Sequence, residues 1–147
     1  MKYRHEVLVR APLERVSAWH RDPEALARLI PPGMHLHWEL REPLGEGSRV
    51  RFVLQIGPVR VRWMARHQEV SKHGFTDEQE EGPFRRWIHR HRFEERGPDQ
   101  TAVVDEIEAD WPHDPRRWPV AAMLWMGLPL LFAYRGWKLR RFLEGLE

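Results

Sequence analysis

The stretch PFRRWIHRHRFE, residues 83–94, determines the predicted fold, because its rings and charges separate with a period of two. Side chains alternate between the two faces of a β-strand. One face of such a strand carries, after Arg85, four rings: Trp87, His89, His91 and Phe93. The opposite face carries Ile88 together with Arg86, Arg90 and Arg92. A helix would scatter both classes around its axis, so the pattern predicts a strand, which we place at residues 84–96.

The sequence on both sides of this strand also alternates between apolar and polar residues. Further strands are predicted at residues 2–10, 35–41, 49–56, 59–70, 75–81 and 101–111. Most of them are joined by short turns such as Gly57-Pro58 and Gly82-Pro83, which make neighbouring strands antiparallel. Two short helices, residues 12–19 and 22–29, begin at or beside a proline. A long C-terminal helix runs to near Leu146, and the pattern leaves open whether Pro129 breaks it.

Composition limits the chain to a few classes of protein. A length of 147 residues suits one domain, residues 1–147, and an antiparallel sheet with helices on one side is an α+β fold. The 24 Lys and Arg are nearly balanced by 22 Asp and Glu, which argues against a dedicated nucleic-acid binder. The absence of cysteine excludes disulfides, thiolate catalysis and cysteine-ligated metals.

Localisation is predicted from two segments of the chain. The charged, alternating start of the sequence is not a secretion signal, so we expect a cytoplasmic protein. Residues 118–134 are uncharged, but they number only seventeen and contain Gly127 and Pro129. A spanning helix needs about 20 apolar residues. We therefore predict a helix lying over a sheet or cavity rather than one inserted in a membrane.

The strand that follows residues 97–100 brings a carboxylate to the ring face. Equal parity across this turn places four pairs opposite each other: Phe93 with Val103, His91 with Asp105, His89 with Ile107, and Trp87 with Ala109. A register shifted by two residues would instead place Asp105 opposite Phe93. In either register Asp105 shares the face of the rings. On the other face Arg90 lies opposite Glu106 and Arg86 opposite Asp110, which predicts a solvated surface of charge pairs.

Two histidines and an aspartate are unusual on a face that is turned inward. Buried polar groups need partners, and a purely apolar core does not require them. The pattern favours a pocket that is mostly apolar with a few convergent polar groups, although a histidine–aspartate pair bonded to itself in a dry core stays open. The predicted lining comprises Phe52, Trp63, His67, Trp87, His89, His91, Phe93, Asp105 and Met126. The histidines near element ends, His20 among them, are expected at the surface.

One run of residues resembles a known protein family. The run is Phe75, Asp77, Glu78, Gln79, Gly82, Pro83, Phe84, Trp87, His89, His91, Phe93 and Asp105. It is similar to a motif of bacterial SRPBCC proteins, the superfamily of START-like, polyketide-cyclase-like and birch-pollen-allergen-like proteins. Residues 11–16 and 132–135 resemble the first and closing helices of the same superfamily. Residues 111–125 and the Gly127–Pro129 break depart from the pattern and leave the cavity mouth unpredicted.

The resemblance implies a helix-grip fold, in which a curved seven-stranded sheet holds a long C-terminal helix over a cavity. It also implies binding of a small hydrophobic molecule, because members bind lipids, sterols, polyketides or hormones. Some members cyclise or dehydrate their ligands, so an enzyme is the alternative function. A histidine held by a carboxylate can serve as a general base near neutral pH, and His91 with Asp105 is the pair predicted for that role.

Two other functions are considered and not predicted. His89 and His91 could share a metal ion with a third ligand from His67 or Asp105, but no motif fixes that third position. We therefore predict no metal and no cofactor. Arginines interleaved with aromatic rings can bind nucleic acid, but here parity sends the rings to the opposite face. The oligomeric state is not predicted.

Overall fold

The computed structural model of the protein describes residues 1–145. Seven strands form one antiparallel sheet: β1 Lys2–Val9, β2 Met34–Arg41, β3 Arg49–Ile56, β4 Val59–Ser71, β5 Gly74–Glu81, β6 Arg86–Gly97 and β7 Gln100–Asp110. Their order across the sheet is β1-β7-β6-β5-β4-β3-β2, so the first strand pairs with the last. This arrangement confirms the predicted α+β helix-grip fold.

Helices cover one face of the sheet. They are α1 Leu13–Arg21, α2 Ala25–Arg28, α3 Trp118–Met126 and α4 Leu128–Leu143, and a 3₁₀ turn at Pro115–Arg117 precedes α3. The predicted C-terminal helix is thus two helices, and they meet at Gly127. Pro129 lies in the first turn of α4, where its missing N–H removes no helical hydrogen bond. The predicted helix end near Leu146 falls outside the described residues.

The register between β6 and β7 places one carboxylate among the rings. Trp87 pairs with Ala109, His89 with Ile107, His91 with Asp105 and Phe93 with Val103, which confirms the equal-parity prediction. On the outer face Arg90 lies opposite Glu106 and Arg86 opposite Asp110, as predicted, but both arginines form their ion pairs with Glu108. The alternative register, shifted by two residues, does not occur.

A close contact between β5 and β6 fixes the strands that carry the polar residues. Gly74 has a φ of +135°, and a Cβ at this position would overlap the carbonyl oxygen of His91. The Phe93 N–H donates to the His73 carbonyl over 2.8 Å beside this contact. Only glycine tolerates both the backbone angle and the approach. The contact therefore sets where Asp77, three residues further along β5, meets β6.

The inner side of α4 packs across the sheet. Its buried residues recur every three or four positions, as expected for a helix with one apolar stripe: Leu128, Phe132, Gly136, Leu139 and Leu143. They join two buried clusters, one around Val9 and Phe93 and the other around Trp87 and Ile107. No helix within residues 1–145 combines the length and the apolar character needed to cross a membrane.

Candidate functional site

A cavity of about 280 Å³ lies between the inner face of the sheet and α4. All seven strands and all four α-helices contribute to its lining. The lining includes the exposed residues Pro23, Arg41 and Glu42, so the cavity reaches the surface between α2 and the end of β2. The Arg41 guanidinium crosses this mouth: it donates to the Pro23 carbonyl over 3.3 Å and pairs with Glu24 at 2.9 Å.

Seven of the nine predicted lining residues contact this cavity: Phe52, Trp63, His67, Trp87, His89, His91 and Asp105. Phe93 and Met126 do not, and both expectations need correction. Phe93 is only 2% exposed because α1 covers it, with the His20 ring centroid 4.5 Å from its own. Met126 is 78% exposed, since α3 turns Ala121 and Leu124 toward the sheet and leaves Met126 on its outer side.

Asp77 on β5 joins two histidines from the neighbouring strands. Its Oδ1 accepts from Nε2 of His67 over 2.8 Å, and its Oδ2 accepts from Nε2 of His91 over 2.6 Å. On the far side of His67, Nδ1 lies 2.9 Å from the Ser48 hydroxyl, which itself accepts from the Gly45 N–H over 3.1 Å. Every nitrogen of His67 is therefore bonded, and its ring is fixed in one orientation.

Asp105 on β7 joins a second pair of histidines. Its Oδ1 lies 2.7 Å from Nε2 of His89 and 3.3 Å from Nδ1 of His91. The two imidazole rings stack with centroids 3.7 Å apart, and Phe75 stacks on the other side of His91 at 4.2 Å. A continuous chain of hydrogen bonds thus runs across four strands, which we call the polar chain: Ser48, His67, Asp77, His91, Asp105 and His89.

Within the polar chain, His91 is positively charged and Asp77 and Asp105 are negatively charged near neutral pH. Burial alone would lower the pKa of His91, but the charge of Asp77 and the hydrogen bonds to Asp77 and Asp105 raise it to about 9. Burial alone would raise the pKa of each aspartate, but their histidine partners hold both values well below the usual range. His91 is therefore an imidazolium ion between two carboxylates, and it lends the chain its rigidity.

His89 differs from His91 because one of its nitrogens is unoccupied. Burial and the charge of His91 lower the pKa of His89, despite its bond to Asp105. The neutral ring donates from Nε2 to Asp105, and Nδ1 has no hydrogen-bond partner within residues 1–145. His91 has both nitrogens bonded to carboxylates, so it has no lone pair with which to take a proton. The general base expected at His91 is thus better placed at His89.

The same residues were considered as metal ligands. Donor atoms of Asp77, His89 and His91 all lie within 4.8 Å of one another. The third ligand of this set is therefore Asp77, whereas the sequence analysis considered His67 or Asp105. The ring nitrogens of His91 already donate to two carboxylates. An ion would have to displace a proton from His91 and break those bonds, so the donor set fits a proton network better than a metal.

The polar residues of the cavity that the sequence analysis missed include His5, His20, Asp77 and Arg135. Asp77 shares the parity of Phe75 on β5, which would have placed it on the ring face. His20 was expected at the surface, but it donates from Nδ1 to the Val16 carbonyl over 2.8 Å. Burial lowers the pKa of His20 to about 4. Arg135 lies beside the apolar stripe of α4, a position that only the helix packing reveals.

Comparisons with known proteins identify the fold and not the function. No protein-family model and no curated protein sequence matches the chain. A structure of the protein TTHA0849 from Thermus thermophilus shares 22% identity and a TM-score of 0.69, over 95% of this chain and 97% of that one. A START superfamily protein from Mycobacterium smegmatis shares 18% identity and a TM-score of 0.66, over 99% of each chain.

A third similar structure contains bound small molecules. Norcoclaurine synthase from Thalictrum flavum, in complex with dopamine and hydroxybenzaldehyde, shares 16% identity and a TM-score of 0.73. The match covers 100% of this chain and 88% of that one. These three likenesses confirm the predicted START-like, SRPBCC-type fold.

Proposed function

We propose that the chain binds a small, mostly apolar molecule in the cavity between the sheet and α4. The observation that carries this proposal is the cavity of about 280 Å³, which joins an aromatic wall to one polar wall. The aromatic wall includes Trp63, whose ring lies 6.3 Å from Phe52 and 5.1 Å from Trp87. Small-molecule sites commonly combine such a wall with a few fixed polar groups.

The size of the cavity limits the ligand. Its volume lies just below the range of about 300–1,000 Å³ that is typical of ligand pockets. A molecule of one to three rings, or a single alkyl chain of about ten carbons, therefore fits better than a sterol or a two-chain lipid. Norcoclaurine synthase, which has a similar fold, holds the one-ring molecules dopamine and hydroxybenzaldehyde, and this supports the same size class.

A titration with N-phenyl-1-naphthylamine tests the proposal. This neutral probe fluoresces when it is buried, and tryptophans of the cavity should transfer energy to it. We expect saturable binding to one site on the wild-type protein. Ala65 is 4% exposed and lines the cavity, so Ala65→Phe should fill the space and abolish binding. Ala133→Phe, on the exposed side of α4, is the matched control and should bind as the wild type does. Equal binding by both variants, or none by the wild type, would refute the proposal.

Acid–base catalysis on a bound carbonyl compound is the second candidate function. It is favoured by one observation: His89 has an unoccupied Nδ1 at the cavity wall and Asp105 behind its other nitrogen. In this role Nδ1 takes a proton from the carbon next to the carbonyl, and the electron pair moves to the carbonyl oxygen. A general base needs this combination of an oriented ring and a free lone pair.

Hydrogen–deuterium exchange separates catalysis from binding alone. Phenylacetone in deuterated buffer exchanges the protons next to its carbonyl slowly, and NMR measures the rate. Catalysis predicts faster exchange with the wild type, loss of the acceleration in His89→Gln, and unchanged binding of N-phenyl-1-naphthylamine by that variant. If the protein does not accelerate exchange above the rate in buffer alone, catalysis is refuted and only the binding function remains.

A further inference from the structure

Arg135 is a partly buried cation that bonds no oxygen atom within residues 1–145. It lines the cavity from α4, and its guanidinium carbon lies 5.3 Å from the centre of the Phe132 ring. Its Nε is buried without a hydrogen-bond partner, and its side chain forms no ion pair with any carboxylate of residues 1–145. A guanidinium group remains charged and offers five N–H donors, so enclosing one without an acceptor is costly.

His5 presents a second unpartnered nitrogen to the same cavity. Its Nδ1 is buried without a hydrogen bond, and its ring lies 5.5 Å from Phe132. The position next to Arg135 allows this approach because it is a glycine: a Cβ on Gly136 would lie 3.3 Å from Cε1 of His5. Within residues 1–145, these two nitrogens are the only side-chain polar atoms that lack a partner and are completely inaccessible, a condition that Nδ1 of His89 does not meet.

We propose that Arg135 and His5 hold the carboxylate of an amphipathic ligand whose apolar part packs against the tryptophans. This inference rests on the proposed function and adds the chemical class of the ligand. A carboxylate suits the guanidinium because it accepts two parallel N–H bonds and carries the opposite charge. The His5 ring adds a third bond in the tautomer that carries hydrogen on Nδ1. A neutral amide or alcohol offers a single acceptor oxygen and cannot form the pair of charge-assisted bonds that a carboxylate forms.

The charge of such a ligand has a consequence for His89. Asp77, Asp105 and His91 together carry one net negative charge, which Arg135 offsets. A carboxylate that enters adds one negative charge to these four groups, and a proton on Nδ1 of His89 restores their balance. The titratable and charged groups around His89 come from seven strands and helices: Tyr3, His5, His20, His67, Asp77, His91, Asp105 and Arg135. Binding of a carboxylate should therefore take up close to one proton.

Decanoate and decanamide provide a matched pair of probes, because they have the same shape and differ in charge. Each is titrated against the complex with N-phenyl-1-naphthylamine near neutral pH, below its aggregation limit. We expect decanoate to displace the dye at a concentration at least about tenfold lower than decanamide. Arg135→Met should reduce this preference to within about twofold when each probe is compared with the affinity of that same variant for the dye. Arg140→Met is the control on the same helix: Arg140 is exposed and pairs with Glu144 at 3.4 Å.

Each other result counts against a stated part of the inference. Dye binding without a preference for decanoate overturns the carboxylate site and leaves the proposed function standing. A preference that survives Arg135→Met shows that the carboxylate is held elsewhere. No binding of the dye refutes the proposed function itself. If Arg135→Met does not fold, the wild-type preference and its loss in His5→Phe decide.

Calorimetry gives an independent measurement of the same site. The enthalpy of decanoate binding is measured in buffers with different ionisation enthalpies. The slope of one against the other should correspond to about one proton taken up. Decanamide should show no such dependence. Equal proton counts for the two probes would contradict the assignment of Arg135 and His5 to a carboxylate.

Discussion

Both faces of β6 carry pairs of basic and acidic side chains, but the pairs of the inner face are buried and those of the outer face are exposed to water. On the inner face His89 and His91 meet aspartates at 2.7 and 2.6 Å, and these four side chains are 8–23% exposed. On the outer face Arg86 and Arg90 each lie 3.5 Å from Glu108, with arginine side chains 48% and 35% exposed. Ion pairs in water are worth about 0–1 kcal/mol, whereas breaking a buried pair costs about 3–5 kcal/mol. Burial, and not the number of pairs, decides which face specifies the structure.

The largest expected difference between the faces comes from removing one carboxylate from each. Asp105→Ala leaves Nε2 of His89 without an acceptor and the His91 cation with one carboxylate instead of two. We expect a loss of about 3–5 kcal/mol in the free energy of unfolding. Glu106, the next residue on β7, pairs with Arg92 on the outer face, so Glu106→Ala should cost less than about 1 kcal/mol. Urea denaturation measures both values, and similar losses would erase the distinction between the faces.

The dependence of stability on pH tests the inner face alone. The folded-state pKa of His91 is about 9, above the unperturbed value near 6.5. A raised pKa stabilises the fold fully below the unfolded value, and the gain is lost as the pH rises through the folded value. Between roughly pH 6.5 and 9 the protein should therefore lose on the order of 3 kcal/mol.

Below this range the opposite effect operates. The lowered pKa values of His20 and His89 destabilise the fold as pH falls from about 6.5, because their unfolded forms bind protons first. The depressed pKa values of Asp77 and Asp105 add a further loss below about pH 4. Stability should thus be greatest near pH 6.5, and His91→Gln should remove the alkaline limb. A wild-type profile that is flat between pH 6.5 and 9 would show that His91 is not a buried cation.

The smallest expected effect separates the aromatic wall from the outer side of α3. Trp63→Ala removes a ring that packs between Phe52 and Trp87, so the affinity for N-phenyl-1-naphthylamine should fall by about tenfold. Met126→Ala changes an exposed side chain and should leave the affinity within about twofold. Fluorescence titration measures both. A clear loss of affinity in Met126→Ala would show that Met126 contacts the ligand, as the sequence analysis predicted.

Local periodicity was sufficient to predict the sheet. The alternation of residues 84–94 and the parity across residues 97–100 gave the register of β6 and β7, because both follow from the geometry of neighbouring residues in the chain. Alternation also predicted the seven strands, and the resemblance to SRPBCC proteins added the expectation of a cavity beneath the last helix. Gly127 and Pro129 indicated a possible break in the last helix. They did not predict the direction in which the chain continues after it.

The candidate site was only partly predictable, because its partners come from distant parts of the chain. The alternation of side chains placed His89, His91 and Asp105 on one face. It did not show that Asp77 also bonds His91, which leaves that ring without an unbonded nitrogen. Arg135 and His5 depend on how α4 rotates against β1, which is set by the close packing at Gly136. No spacing in the sequence reports such a rotation.

The ion pair between Arg41 and Glu24 at the cavity mouth should affect the rates at which a ligand enters and leaves. It should have little effect on the dissociation constant. A gate that must open for both entry and escape slows the two rates by the same factor, so the dissociation constant stays nearly constant. Glu24 is about half exposed, and dissolved salt weakens such a pair. Rising ionic strength should therefore shorten the residence time of a neutral occupant and quicken its uptake equally.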